Sequence, residues 1–185
     1  MKSNTKYSIK VSFMKLLNQK PLSKITVKEI VSECGINRNS FYYHFKDIPN
    51  LLEEIFIEQA DSILQPEHAD NIYDYLTGTI RFALDNESAM MHIYNSTNRE
   101  MFERYRERMA ERTVNACIDY YAVDCVLSKE NRDAVLVYYK SLLTGFVIDW
   151  LNCGRRYDLS DKLRRICVIF DGTFENAMRN CIQLN

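Results

Sequence analysis

Turn-forming residues are scarce in this 185-residue chain, which holds five glycines and three prolines. A β-sandwich or barrel needs a turn signal roughly every ten residues, so this supply argues against either. Long apolar runs are also missing. The longest, Ala134 to Tyr139, falls far short of the ~18 residues of a membrane-crossing helix. Lys2, Lys6, Lys10 and Lys15 break up the segment from Met1 to Leu17, so neither a spanning helix nor a cleaved signal segment is expected. The cysteines (Cys34, Cys117, Cys125, Cys153, Cys167, Cys181) include no CxxC pair, which removes zinc-ligand and redox-pair spacings. They read as free thiols in a reducing cytoplasm, with Cys167 and Cys181 on one apolar helix face as small hydrophobes. What the chain does hold is 46% hydrophobic and 26% charged residues, the balance of a soluble globular protein with a real core. The composition points to an all-helical fold.

The formal net charge of −1 conceals a division. Residues 1–50 carry Lys2, Lys6, Lys10, Lys15, Lys20, Lys24, Lys28, Arg38 and Lys46 against Glu29, Glu33 and Asp47, a balance of +6, and the remainder stands at −7. A basic first quarter on an acidic body fits a polyanion partner at one end, although a solvated lysine-rich helix face gives the same count.

Helix punctuation divides the basic segment. Ile9, Phe13, Leu16 and Leu17 recur at helical spacing over about Thr5 to Gln19, with Pro21 just beyond. Thr26 with Glu29 forms a capping box, and Ile25 with Ile30 a hydrophobic staple, for a second helix ending at Cys34. Gly35 supplies a left-handed turn, Ile36 points inward, and Asn37 caps a third short helix from Arg38 to Phe45. Two short helices across a tight glycine turn are the pattern of a helix-turn-helix, whose second helix enters the DNA major groove; a helical hairpin that serves only as scaffold has the same pattern, and the basic surroundings and polar outer face favour DNA. On that helix Phe41 and Phe45 face inward, Asn39 and Tyr43 lie opposite, and Ser40, Tyr42 and Lys46 flank them. Asn bridges adenine N6 and N7, Arg pairs with guanine, and Tyr, Ser, Thr and Lys hold phosphates.

The stretch from Ile25 to Leu52, with its Thr-Val-x-x-Ile start, glycine turn and Phe-Tyr-x-x-Phe recognition helix, resembles the N-terminal signature of the TetR family of bacterial transcriptional regulators. The resemblance implies that Thr26, Ser40 and Tyr42 hold phosphates and that Arg38, Asn39, Tyr43 and His44 lie in or beside the groove. One position departs from the family pattern: Ile48 stands where a phosphate-touching Lys is usual, and Lys46 is the nearest substitute.

Asp47 is the expected cap of a fourth helix, with Pro49 in its first turn and Leu51, Leu52, Ile55, Phe56 and Ile63 running towards Pro66. Pro66 to Asp70 reads as a linker. The domain boundary therefore falls between 1–65, the helix-turn-helix domain with its connecting helix, and 66–185, a helical effector-binding and dimerisation domain. The body reads as helices over 71–85, 87–96, 98–122, 129–153 and 160–182, making about nine in all. Thr97 with Glu100 is a second capping-box candidate, Ser128 and Ser160 are N-cap candidates, and Gly154 ends the penultimate helix. Gly145, Trp150-Leu151 and Gly154 are similar to the C-terminal domain of a subset of TetR-like regulators from low-GC bacteria.

The last two helices are too apolar for one buried face. Val135, Tyr138, Leu142 and Phe146 line one stripe of the first, and Leu136, Tyr139, Leu143, Val147, Trp150 and Leu151 line another. A helix with its own core on one side and a second subunit on the other has this pattern; a deeper monomeric core is the alternative. The resemblance implies a homodimer through these two helices, with Tyr139, Val147, Leu163, Ile166, Phe170, Phe174 and Met178 at the interface. A two-fold dimer reads a palindromic double-stranded DNA operator with half-sites roughly 34–36 Å apart.

The remaining body helices are rich in Met, Tyr and Phe, among them Tyr73, Phe82, Met90, Met101, Phe102, Tyr120 and Tyr121. Such residues form a core, or line an adaptable pocket of the kind the family uses for small effectors. Met91, Tyr94, Tyr105, Met109, Tyr138 and Phe146 are the candidates for that pocket. His92, His44 and His68 lie on separate segments, so no metal site is expected. The sequence contains no Gly-rich phosphate loop, HExxH or GxSxG, and the interleaved Arg and Glu of 99–108 read as a salt-bridged surface, so neither catalysis nor a cofactor is expected. The expectation is a cytoplasmic, ligand-responsive repressor without membrane association. A co-regulator that binds ligand and a partner regulator but not DNA is the alternative that Ile48 leaves open.

Overall fold

The computed structural model of the chain describes residues 2–62, 72–122 and 127–184. Ile63, the linker Pro66–Asp70, His68 and Cys125 lie outside them, as does the side chain of Tyr73. Among the described residues the fold is all helical: α1 (Lys2–Gln19), a 3-10 turn (Leu22–Lys24), α2 (Val27–Glu33), α3 (Arg38–His44), α4 (Ile48–Ser62), α5 (Ile72–Asp85), α6 (Glu87–Tyr94), α7 (Arg99–Tyr121), α8 (Lys129–Asn152), α9 (Leu159–Ile169) and α10 (Thr173–Gln183). The chain packs as two compact units, Met1–Asp61 with Phe82–Tyr105, and Ser62–Arg81 with Arg106–Asn185. Residues 82–105, which the sequence groups with the body, thus pack in the N-terminal unit.

In the first unit the helix starts follow side-chain capping. Thr26 and Glu29 close the capping box of α2, the Asn37 side chain accepts from the Ser40 amide at the head of α3, and Asp47 Oδ1 accepts from the Asn50 amide at 2.8 Å to start α4. Gly35 has φ +67°, and the Ile36 amide reaches back to the Val31 carbonyl at 3.0 Å, so the turn between α2 and α3 closes as a Schellman motif. Ile9, Phe13, Leu17, Ile30, Phe41, Phe45, Leu51 and Leu52 are buried around this turn.

The second unit has its core where Val114, Cys117 and Ile118 of α7 meet Val135 of α8 and Phe174, Met178 and Cys181 of α10. Ser128 caps α8 through the Asn131 amide, and α8 ends in a second Schellman turn in which the Arg155 amide reaches the Trp150 carbonyl at 2.9 Å around Gly154. Three expectations are corrected here. The last helix is broken: α9 stops at Ile169, Gly172 sits at φ +72°, and α10 starts at Thr173, giving ten α-helices among the described residues rather than nine. Asp158, not Ser160, caps α9, its side chain accepting from the Asp161 amide. At the head of α7 the Met101 and Phe102 amides close on the Asn98 carbonyl, so Thr97 lies one position too early to be the cap.

The outer face of α8 corrects the phase read from the sequence. Val137, Tyr138 and Leu142 are exposed, whereas Tyr139 is half-buried with its ring 4.6 Å from that of Phe174. Tyr138 therefore does not line an interior site. Leu163, Phe174 and Met178, expected at a subunit interface, are buried in the chain's own core. Ile166 and Val147 are half-buried, and Phe170 is exposed together with Val168 and Ile169. By length and composition α8 is apolar enough to cross a membrane, because Lys140 and Asp149 interrupt its apolar runs without lowering the average far.

Candidate nucleic-acid interface

The surface of α3 is built from its inner face outwards. Phe41 and Phe45 are buried with ring centroids 5.8 Å apart, which fixes the helix on the core and turns the remaining side chains out. Arg38, Asn39, Tyr42 and Tyr43 are exposed, the two tyrosines at 57% and 68%, although their rings are large enough to bury. Tyr42 packs edge-on against Phe41, and Tyr43 edge-on against the half-buried His44. Ser40 is half-buried, and its hydroxyl donates to Asn37 Oδ1 at 3.1 Å.

Phe45, at the C-terminal end of α3, lies under two ammonium groups, Lys6 Nζ at 5.6 Å and Lys10 Nζ at 5.7 Å from its ring centroid. Both lysines pair with Glu54 of α4, and Lys10, almost fully buried, also pairs with Glu58. Charge and quadrupole together tie α1, α3 and α4 at this point.

Ion pairing divides the basic residues of the head into two sets. Lys6 and Lys10 are matched by Glu54 and Glu58, Lys15 by Glu33, and Lys20 by Glu29. Among the described residues, Lys24, Lys28, Arg38 and Lys46 are exposed and have no carboxylate partner. Arg38 opens α3 and Lys46 follows its end, while Lys24 and Lys28 lie just before and in the first turn of α2. Lys24 and Lys28 belong to this set although the sequence marks them only through the overall charge and their proximity to the α2 capping box. Thr26 is more committed than expected. Its hydroxyl donates to Glu29 Oε2 at 3.0 Å while accepting from the Glu29 amide. Hydrogen bonds from Lys20 and then Thr26 hold the Glu29 carboxyl below its usual range. Ile48 is half-buried at the first position of α4, and Lys46 stands exposed two residues earlier, its amide donating to Asn50 Oδ1.

The six effector candidates do not come together in one unit. Met91, Tyr94 and Tyr105 belong to the first, and Met109, Tyr138 and Phe146 to the second. Tyr105 stacks on Phe56 with centroids 4.0 Å apart, and burial pushes its phenol well above the usual tyrosine value. The Tyr94 hydroxyl accepts from Arg99 at 3.1 Å. Met109 is buried, and Phe146 stacks with Tyr157.

An all-helical chain whose N-terminal helix-turn-helix presents a polar recognition helix flanked by free cations has the architecture of a transcriptional regulator. Two stretches of sequence match known families: residues 14–55 match bacterial regulatory proteins of the tetR family, and residues 70–172 match a transcriptional regulator C-terminal region. The second match spans more than half of the chain, and the chain belongs to the TetR family of transcriptional regulators. Among solved structures it is similar to the dihydroxyacetone kinase operon activator DhaS, with a TM-score of 0.75 and 17% identity over 97% of each chain. It is also similar to a tetR-family transcriptional regulator from Streptomyces coelicolor (TM-score 0.58, 15% identity, 96% of this chain and 91% of the other). A third is NalD, the secondary repressor of the MexAB-OprM multidrug efflux pump in Pseudomonas aeruginosa (TM-score 0.56, 17% identity, 98% of each chain). At these identities the likeness is one of fold.

Proposed function

We propose that this regulator is a cytoplasmic homodimer that binds a palindromic operator through α3 and represses by occupying it until a small effector in the helical body releases it. The observation that carries the reading is the exposed Arg38-Asn39-Tyr42-Tyr43 face of α3, in a head whose Lys24, Lys28, Arg38 and Lys46 are exposed without a carboxylate partner among the described residues. In this reading Arg38, Asn39, Tyr43 and His44 address base edges, and Tyr42, Ser40, Lys24, Lys28 and Lys46 hold phosphates. The Thr26 hydroxyl, already donating to Glu29, contributes through the capping box that orients α2.

The dimer in this proposal forms on the exposed apolar face of α8, through Val137, Tyr138, Leu142 and the open surface at Gly145, and on the exposed Val168, Ile169 and Phe170. An apolar helix with a core on one side and a subunit on the other also accounts for the composition of α8 without a membrane. An effector acts by preferring a dimer geometry in which the two recognition helices no longer fit successive grooves, a coupling typically of 1–3 kcal/mol.

Selection of bound sequences from random duplex DNA, repeated at two salt concentrations, tests the reading. A palindromic motif supports it. A folded dimer that recovers nothing above non-specific background overturns it in favour of a co-regulator working through a partner, with Ile48 in the phosphate-contact position as the disabling change.

A further inference from the structure

Three helix ends meet in the first unit, at the C-termini of α1 and α5 and the N-terminus of α6. Helix ends leave unsatisfied backbone groups that must find partners when buried. Asn86, the residue in the N-cap position of α6, does not cap its own helix. The cap comes from another helix: Asn18 Oδ1 of α1 accepts from the Ala89 amide at 3.2 Å, 71 residues away in sequence. The amide group of Asn18 donates in turn to Asn86 Oδ1 at 2.9 Å and to the Met14 carbonyl at 3.1 Å, and Asn86 donates to the Phe82 carbonyl in the last turn of α5 at 3.0 Å. The exchange is reciprocal. His92 Nδ1 of α6 lies 2.7 Å from the Leu17 carbonyl, one of the last four of α1. A carbonyl only accepts, so Nδ1 carries the proton and donates.

We propose that Asn18 and His92 are positioning residues for operator binding: by capping each other's helices they fix the C-terminal end of α1, from which the helix-turn-helix is held. Lys15 and Lys20, on either side of Asn18, pair with Glu33 and Glu29 at the two ends of α2. A displacement of α6 therefore reaches α2 through α1, by a connection separate from the Lys10–Glu58 pair of α4. This role rests on the operator-binding reading above; the junction itself does not. Asn18, Asn86 and His92 are half-buried, while Ala89, Met90 and Ile93 beside them are fully buried, so apolar contact holds α6 in place and the polar bonds set its register.

The test compares the full-length protein with His92→Leu, His92→Asn and Asn18→Ala by two readouts. Asn sets its amide nitrogen one bond from Cγ, as imidazole sets Nδ1, so His92→Asn keeps the donor that His92→Leu removes. The first readout is hydrogen exchange at the Ala89 amide, expected to be protected in the parent and at least about tenfold faster in Asn18→Ala. The second is affinity for the selected operator. It is expected to fall at least about fivefold in His92→Leu, the lower end of ordinary coupling between sites, and to recover in His92→Asn with the same half-site preference. Parent-like affinity in His92→Leu, or equal loss in His92→Asn, overturns the positioning role. An unprotected Ala89 amide in the parent overturns the junction. A parent protein that selects no sequence overturns operator binding and the role with it, while Ala89 exchange still reports the junction separately.

Discussion

Under the proposed reading, Lys46→Gln separates charge offered to DNA from charge spent inside the protein. Among the described residues four cations of the head have no carboxylate partner, so the proposed dimer offers eight. At about 0.9 units per neutralised phosphate, the slope of log affinity against log salt is no steeper than about −7. Counting all eight described Lys and Arg of residues 5–50 in each chain instead gives about −14. Lys46→Gln removes two contacts per dimer and flattens the slope by about 1.8. Between 50 and 200 mM potassium chloride, a fourfold change, the parent then loses about twelvefold more affinity than the variant. The control is Lys15→Gln with Glu33→Gln, which deletes an internal pair at constant net charge and changes the slope by less than about 0.5. Fluorescence anisotropy on the selected operator reads all three proteins. A parent slope near −14, or a control as flat as Lys46→Gln, refutes the division into paired and free cations.

Asn39→Ala is expected to relax base preference while leaving non-specific affinity unchanged, and Tyr42→Phe to weaken all sequences alike; repeated selection distinguishes the two. Phe174→Ala empties a core position against Tyr121 and Tyr139 and is expected to cost about 3–5 kcal/mol in urea unfolding. Phe170→Arg, at an exposed position, is expected to keep the chain folded and give monomer mass in sedimentation; an unchanged dimer places the interface elsewhere. Glu29 has a folded pKa below its unfolded value, so its contribution is complete above about pH 4.5 and is lost as pH falls through the folded value. Melting temperatures at pH 5.5 and 3.5 should therefore differ more in the parent than in Glu29→Gln.

The head was legible in the sequence because its signals are local. A capping box spans four residues, a glycine turn one, and the caps at Thr26, Asn37 and Asp47 all stand where the pattern places them. The body was less legible wherever two neighbouring residues offered the same chemistry. Asp158 and Ser160 are both good caps, and Asn98 adjoins Thr97. Apolar periodicity ran through Asp171-Gly172 and concealed a turn signal there. In α8 the apolar residues go nearly all the way round, so periodicity gave no preference between Tyr138 and Tyr139, and only packing against Phe174 separates them. The cation pairs and the Asn18–Ala89–His92 junction join residues up to 75 apart, which no window along the chain brings together.

Internal pairing of the head lysines also bears on where the regulator spends its time in a cell. Every stretch of chromosome offers the same phosphates, and a genome presents about 10⁶–10⁹ competing sites, so each extra free cation strengthens the wrong complexes along with the right one. Glu29, Glu33, Glu54 and Glu58 keep four lysines out of that competition while leaving their contribution to the fold intact. If α3 reads an operator as proposed, occupancy at low copy number depends on its outward side chains, and a substitution that freed those lysines is expected to bind DNA more tightly overall while finding its target less often.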